Sequence, residues 1–519
     1  MASYGLCRRR LHKAESERMR NEGAVTRRDR ARCRSDAGQN AVAIPTPAHE
    51  GADGSMKGLL MNTMVRLAFA AMMIAGLWGC EYVRPTLNGP LAKSDPQYGY
   101  RFANLAPPEE GNSDSLFVVA SFSGGGTRAS ALAFGALREL ARQPIVWEGR
   151  KKRLLDELDV IYALSGGTFT GAYYSLFGER IFHDFEHRFL RKDWETELRH
   201  RILRSPSNWF RLWSPYFGRI HIMSELLDEA LYDGKTYGDL LKQKTRPGLL
   251  IHASDMATLS RFEFVQPQFD LICSDLNSFP IAYASSASAA LPLVLSPITL
   301  KNYAGSCGYE PPEWMDKAAH SPRPAMRQRG KELLSYLDVE KRPNVHLLDG
   351  GLSDNMALRG ILEGAAVGGG LEQLIKNAGI KKVKKLVFVS VNAETSPDVR
   401  EYRSDNIPSG SRVFGSLVDI PINRYSADSL LLMRLGVEKW QEKLRNRKDD
   451  PDSVFGQNAE VYFIDVSLGA ITDAEEQQNL MRIPTTLYLT DPQIDRLLAA
   501  ATRLIRDDPE FQRLMRDLK

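Results

Sequence analysis

Two apolar runs in this sequence end in the same way. "SLFVVASFS" (Ser115–Ser123) breaks into "GGGTR" and then into "ASALAFGALRELARQ", which has helical spacing. "LDVIYAL" (Leu158–Leu164) breaks at Ser165 and Gly166-Gly167, then enters the helix-like "TFTGAYYSLFG". A short β-branched run without polar alternation is a strand buried on both faces. Strand, glycine turn and helix, repeated, make a parallel sheet covered by helices. "GLLIHASDM", "NVHLLDGG" and "KKLVFVSVNA" read as further strands, and "RFEFVQP" as an extended piece. "PIAYASSASAALPLVLSPITL" reads as a helix whose small residues let it pack closely on a sheet. The expected fold class is therefore α/β, a three-layer α/β/α sandwich with a mostly parallel central sheet. A helical insert is expected near 178–245, and a mainly helical C-terminal part packed on the domain.

The front of the chain reads as targeting sequence. Residues 1–79 carry 13 Lys/Arg against 7 Asp/Glu, leaving 55 against 57 in the remainder. The body is thus near neutral, which argues against nucleic acid as a partner. Residues 1–55 are Arg-rich and without apolar periodicity, so they read as a disordered basic leader, upstream of a start at Met56, Met61 or Met64. Residues 56–79 have the form of a signal peptide: Lys57 and Arg66 precede a 12-residue apolar run, Leu67–Trp78, too short to span a bilayer. The run closes on Leu77-Trp78-Gly79-Cys80, which resembles a bacterial lipobox, with Trp78 where a small residue is usual. Cys80 is the expected lipidation site, and Glu81 after it favours the outer membrane, facing the periplasm. Residues 80–112, rich in Pro, Gly and polar residues, read as a tether. Among five cysteines only Cys273 and Cys307 lie in the body. They are read either as a disulfide of an oxidising compartment or as two buried thiols. Neither sits in a zinc-type pattern, so no metal site is expected.

The chemistry concentrates at the strand ends. Both glycine turns fall at the carboxyl edge of the sheet, where open α/β sheets place their sites. Gly124, Gly125 and Gly126 allow close backbone approach at a helix N-terminus, and Arg128 adds positive charge. That is a design for an oxyanion hole. Ser165, on a sharp strand-to-helix bend with Ala163 before it and Gly166 behind, is placed as a nucleophile on an elbow. None of the nine histidines follows Asp349 in the chain, as the usual Ser-acid-His order requires. Asp349, ending the strand of "LLDGGLSDN", is the expected base instead, provided burial raises its proton affinity. A histidine-dependent esterase using His320 or His346 is a rival reading. A dinucleotide site at Gly124-x-Gly126-x-x-Ala129 lacks the acid it needs at the end of the second strand. The aromatic stretch "NWFRLWSPYFG" (Asn208–Gly218) reads as helical packing against the core, with a lid or membrane-interface patch as the alternative.

Taken together and in this order, "GGGTR", "ALSGG" and "DGG" resemble the patatin-like phospholipases, over roughly Ser115 to Ala393. "ASSASAALPLVLSPI" is similar to the Ala/Ser-rich segment of that family. The resemblance implies a lipid acyl hydrolase with a Ser–Asp dyad, Ser165 as nucleophile and Asp349 as base. It implies an oxyanion hole at Gly124–Gly126 with Arg128, no metal or organic cofactor, and a phospholipid or other acyl-ester lipid as substrate. Ala163 and Ala129 replace glycines of the family pattern. The implied catalytic domain spans 113–395, with an extension over 396–519. A lipid-binding envelope lipoprotein that keeps the fold without catalysis is the alternative.

Overall fold

The computed structural model describes residues 82–518, apart from 106–111, 368, 397–404, 448–449 and 451. The expected leader, signal peptide and Cys80 lie outside the described residues. Among the described residues, no helix is long and apolar enough to cross a membrane.

Eight strands form the central sheet: β1 (Leu116–Phe122), β2 (Leu158–Ala163), β3 (Gly248–Asp255), β4 (Ser260–Glu263), β5 (Ile298–Lys301), β6 (Asn344–Leu348), β7 (Val383–Asn392) and β8 (Phe455–Ser467). The order β8-β7-β1-β2-β3 is parallel throughout. β6 then joins β3 antiparallel, β5 joins β6 antiparallel, and β4 pairs β3 antiparallel. The sheet is therefore mixed but mostly parallel, as expected. "RFEFVQP" supplies β4, and the tail of the Ala/Ser-rich segment turns into β5 rather than continuing as helix.

The helices that position the site are α1 (Gly126–Ala141), α2 (Gly166–Phe177), α3 (Trp194–Leu203), α4 (Pro206–Leu212), α5 (Arg219–Leu227), α6 (Ile281–Ser288), α7 (Gly410–Arg445) and α8 (Asp491–Asp507). Side chains alternate across a strand, so one strand feeds two cores. In β1, Val118, Ala120 and Phe122 pack with α1, α2 and α8. Phe117 and Val119 face the other way, into a core with Ile361, Ile375 and Met433 of α7. These two cores are the seams of the α/β/α sandwich. The parallel strands are buried on both faces, which explains their continuous apolar runs.

The expected tether is instead laid onto the body. Gly89–Pro90 pairs with Ser274–Asp275, the Leu249 amide donates to the Tyr100 hydroxyl at 2.6 Å, and Arg101 donates to buried Asp270 at 2.5 Å. Pro, Gly and polar residues suit a linker, and the same residues also serve at a sheet edge, as Gly89–Pro90 does here. Cys273 and Cys307 form a disulfide. The Leu91 and Ser94 amides donate to the Cys273 and Cys307 carbonyls at 2.7 and 2.9 Å, so the bridge secures this N-terminal segment.

The insert is helical, as expected, but most of its aromatics do not pack against the core. Phe217 is buried, whereas Phe210 is 72% and Trp213 81% exposed, with Trp209 and Tyr216 also exposed. Polar ends hold the short helix in place: the Trp209 indole donates to the Ile202 carbonyl at 2.8 Å, and Arg211 pairs with Glu225.

Candidate active site

The β-register decides where the chemistry meets. Ala163 of β2 lies opposite Ile251 of β3, and Leu348 of antiparallel β6 lies opposite Ser254. Two residues beyond Ala163 and one beyond Leu348, both chains reach the level of Ala253. Ser165 and Asp349 therefore emerge at the same height on either side of β3. The Ser165 hydroxyl donates to Asp349 Oδ2 at 3.0 Å.

Ser165 adopts φ 45° and ψ −125°, a conformation a residue with a side chain rarely takes. Such strain persists only where surroundings over-determine it. Here the Leu164 amide is tied to the Phe122 carbonyl at 3.3 Å, and Thr168 Oγ1 donates to the Ser165 carbonyl at 2.6 Å. The third tie comes from Ser288, at the end of α6. The Ser165 amide donates to Ser288 Oγ at 2.7 Å, and that hydroxyl donates on to the His252 carbonyl at 2.6 Å. The same segment holds Asp349: its amide donates to the Ala290 carbonyl at 3.0 Å and the Gly350 amide to the Ser288 carbonyl at 2.9 Å. Ser288 was missed by sequence reasoning. Its signal was the run of small residues, read there only as close packing.

Asp349 is 5% exposed, and burial pushes its carboxyl up to about 6, against the pull of hydrogen bonds from the Gly351 amide at 2.8 Å and from Ser165. Desolvation disfavours the charged form, as a carboxylate base near neutral pH requires.

The glycine loop divides its tasks. The Gly124 amide donates to the Asn355 carbonyl at 3.3 Å, so it is not free for a ligand. The Gly125 and Gly126 amides, and that of Gly166 behind Ser165, make no hydrogen bond among the described residues. Gly126 and Gly166 both line the cavity beside Ser165. A side chain on Gly166 would lie 2.5 Å from the Gly126 nitrogen, so the two loops touch backbone to backbone. Arg128 has a different task from the one expected. It is buried, and its guanidinium donates to the carbonyls of Ala393 (3.0 Å) and Ile483 (2.5 Å) and to Thr485 Oγ1 (3.0 Å). Burial lowers its pKa to about 10, which leaves it charged at neutral pH. It thus clamps the C-terminal part under the loop and adds positive potential there, rather than bonding a ligand.

Ser165 and Asp349 sit in an open cavity of about 550 Å³. Phe169, Leu198, Ile202, Met223, Leu291 and Leu295 give it apolar walls, and Thr485–Leu487 close one side. Arg199 and Arg219 stand in the lining. Among the described residues, no histidine lines it. His320 is exposed on Asp316, and exposed His346 is bonded to Thr299 at 2.9 Å on another surface. The geometry does not bring either rival base to Ser165. Among the described residues, no His/Cys/Asp/Glu group is arranged to hold a metal ion.

Residues 120–362 match the family model described as patatin-like phospholipase. The chain carries a patatin-like phospholipase domain. Within that domain fall Ser165, Asp349, the glycine loop and Ser288; the clamp on Arg128 comes from beyond its end. Curated proteins gave no match. Among solved structures, the chain is similar to human GIVD cytosolic phospholipase A2, with 13% identity, a TM-score of 0.39, and 78% of this chain and 62% of that chain covered. The same human protein in complex with methyl gamma-linolenyl fluorophosphonate gives 12% identity, a TM-score of 0.34, and 78% and 60% coverage. This chain thus spans less than two thirds of the length of the human enzyme.

Proposed function

We propose that the chain is a lipid acyl hydrolase that cleaves carboxylic esters through a Ser165–Asp349 dyad and an acyl-enzyme. The observation that carries this reading is the 3.0 Å hydrogen bond from a strained serine to a buried, proton-avid carboxylate, beside unpaired amides and an apolar cavity. Asp349 takes the Ser165 proton as Oγ attacks the ester carbonyl. The carbonyl oxygen becomes an oxyanion facing the Gly126 and Gly166 amides, a pairing in which loss of one donor raises a barrier by about 3–4 kcal/mol. On collapse the alcohol leaves with the proton from Asp349. Water then attacks the acyl-enzyme, gives its proton to Asp349, and Ser165 recovers its own as the fatty acid departs.

The apolar walls suit an acyl chain, and Arg199 and Arg219 suit the phosphate of a phospholipid. The exposed Trp209, Phe210 and Trp213 suit a lipid surface, where Trp is favoured. Anchoring through Cys80 and an outer-membrane, periplasm-facing location belong to the same proposal, supported by the disulfide, which needs an oxidising compartment.

The test is labelling with a fluorophosphonate probe alongside fatty-acid release from phospholipid vesicles. Wild type is expected to label and to release fatty acid, and Ser165→Ala to do neither. A wild type that binds vesicles yet neither labels nor hydrolyses them identifies the non-catalytic lipoprotein instead. In intact cells, incorporation of labelled palmitate that survives Cys80→Ser would remove the anchor from the proposal.

Ser288 gives a separate prediction. It does not line the cavity, so Ser288→Ala leaves KM within about twofold. It strands the Ser165 amide and the His252 carbonyl, costing about 1–3 kcal/mol of stability. With the elbow loosened, kcat falls about tenfold. Steady-state kinetics with urea unfolding check this; a rise in KM at constant kcat contradicts the positioning role.

A further inference from the structure

Behind the wall of the acyl cavity lies a second one, of about 720 Å³. Neighbouring residues of one segment divide between them: Arg219 and Met223 line the first, Gly218 and His221 the second. Leu295 and Ser296 divide in the same way. The outer wall of the second cavity is the N-terminal segment Arg84–Asn88, held by Val83, whose carbonyl accepts from Ser214 Oγ at 2.6 Å.

Among the described residues, the lining of this cavity has cations and no carboxylate. Arg84 sits 4.7 Å over the Tyr216 ring and Lys301 5.0 Å over the Tyr303 ring, and neither has an acidic partner within 4.0 Å among the described residues. Aromatic faces hold both cations without neutralising them. A third group is deeper. His221 is 4% exposed, stacked on Phe217, and its Nδ1 accepts from the Gly218 amide at 3.1 Å. That bond places the imidazole proton on Nε2, which makes no hydrogen bond to the protein among the described residues. His221 lines the cavity, so this N–H is a donor that a ligand there can meet. The Thr299 hydroxyl and Ser296 add polar contacts, and Phe217, Pro297 and Leu87 add apolar ones.

We propose that this second cavity binds a phosphate ester, with the anion between Arg84, Lys301 and His221 Nε2–H and the organic part against Phe217 and Pro297. Two sources share that chemistry, a soluble phosphate ester and the headgroup of an anionic lipid. The proposal does not depend on the Ser165 chemistry, because it concerns binding alone.

The test uses the full chain carrying Ser165→Ala, so that vesicles are not degraded. One arm titrates sn-glycerol 3-phosphate by calorimetry; the other co-sediments the protein with phosphatidylcholine vesicles with and without phosphatidylglycerol. Binding in at least one arm is expected, and Arg84→Glu with Lys301→Glu, both exposed positions, is expected to weaken it at least tenfold. Binding only to anionic vesicles assigns the lipid headgroup, and binding only to the soluble ester assigns the free molecule. Lys439→Glu, on α7 across the sheet, is the matched charge control and is expected to change neither arm. No binding in either arm overturns the proposal, as does an equal loss in Lys439→Glu. So does full affinity in an Arg84/Lys301 variant that still unfolds cooperatively.

Discussion

Asp349→Asn is expected to stop turnover and, at pH 8, to make the protein more stable. The amide keeps the acceptor that holds the Gly351 amide, now at 2.8 Å, but it cannot take the Ser165 proton. Loss of the general base lowers kcat by about 10²–10⁴-fold. The stability gain follows from linkage. The folded protein raises the Asp349 carboxyl from 3.8 to about 6, so the fold binds that proton more tightly than the unfolded chain does. This preference contributes stability below pH 4, and the contribution is lost as pH rises through 6. At pH 8 the buried carboxylate costs about 3 kcal/mol relative to a neutral group. Urea unfolding is therefore expected to show wild type and variant converging near pH 4 and diverging at pH 8, with the variant ahead. In wild type, kcat/KM rises as pH passes about 6 and then levels. A variant less stable than wild type at pH 8, or a flat activity profile from pH 5 to 8, removes Asp349 from the base role. A gain in stability from deleting a functional group is the usual mark of an active site held against its own preference.

Gly166→Ala is the second large effect. A β-carbon there would overlap the Gly126 carbonyl and lie within 2.7 Å of its carbon. Backbone on both sides leaves no flexible side chain to yield, so the two loops must part. Overpacking of this kind costs about 1–3 kcal/mol, and the separated amides no longer face one oxyanion, so kcat falls at least about 100-fold. Gly415→Ala is the matched control. It lies in α7 with open space where the β-carbon goes, and it is expected to gain up to about 1 kcal/mol with unchanged kinetics. Comparable activity in the two variants means that the contact between the loops is not needed.

The elements that local pattern specifies were legible. β1 and β2 are continuous apolar runs because both sheet faces are covered, and the glycine turns follow from the sharp strand-to-helix bends. Ser165 and Asp349 stood out because each ends a strand at such a turn. What escaped depends on partners distant in the chain. Arg128, next to a glycine loop, has the look of an anion ligand; nothing nearby reveals that the Ile483 carbonyl folds back onto it. Ser288 is one serine among several in a small-residue run, and only the path of β3 shows that its hydroxyl bridges Ser165 and His252. Exposed Trp213 and buried Phe217 lie four residues apart in one aromatic stretch, and composition does not separate them. The segment before Tyr100 has the composition of a linker, while its pairing with Ser274–Asp275 is decided by a strand far downstream.

The closure of the cavity by Thr485–Leu487 bears on biosynthesis. The Thr127 amide rests on the Thr486 carbonyl at 2.9 Å, and Gly126 packs against the same residue. A nascent chain still short of this stretch already contains Ser165, Asp349 and the glycine loop, yet lacks a wall of the chamber and the carbonyl that seats the loop. On the proposed reading, the chamber that would hold an acyl ester is completed only when nearly the last helices of the chain have been made.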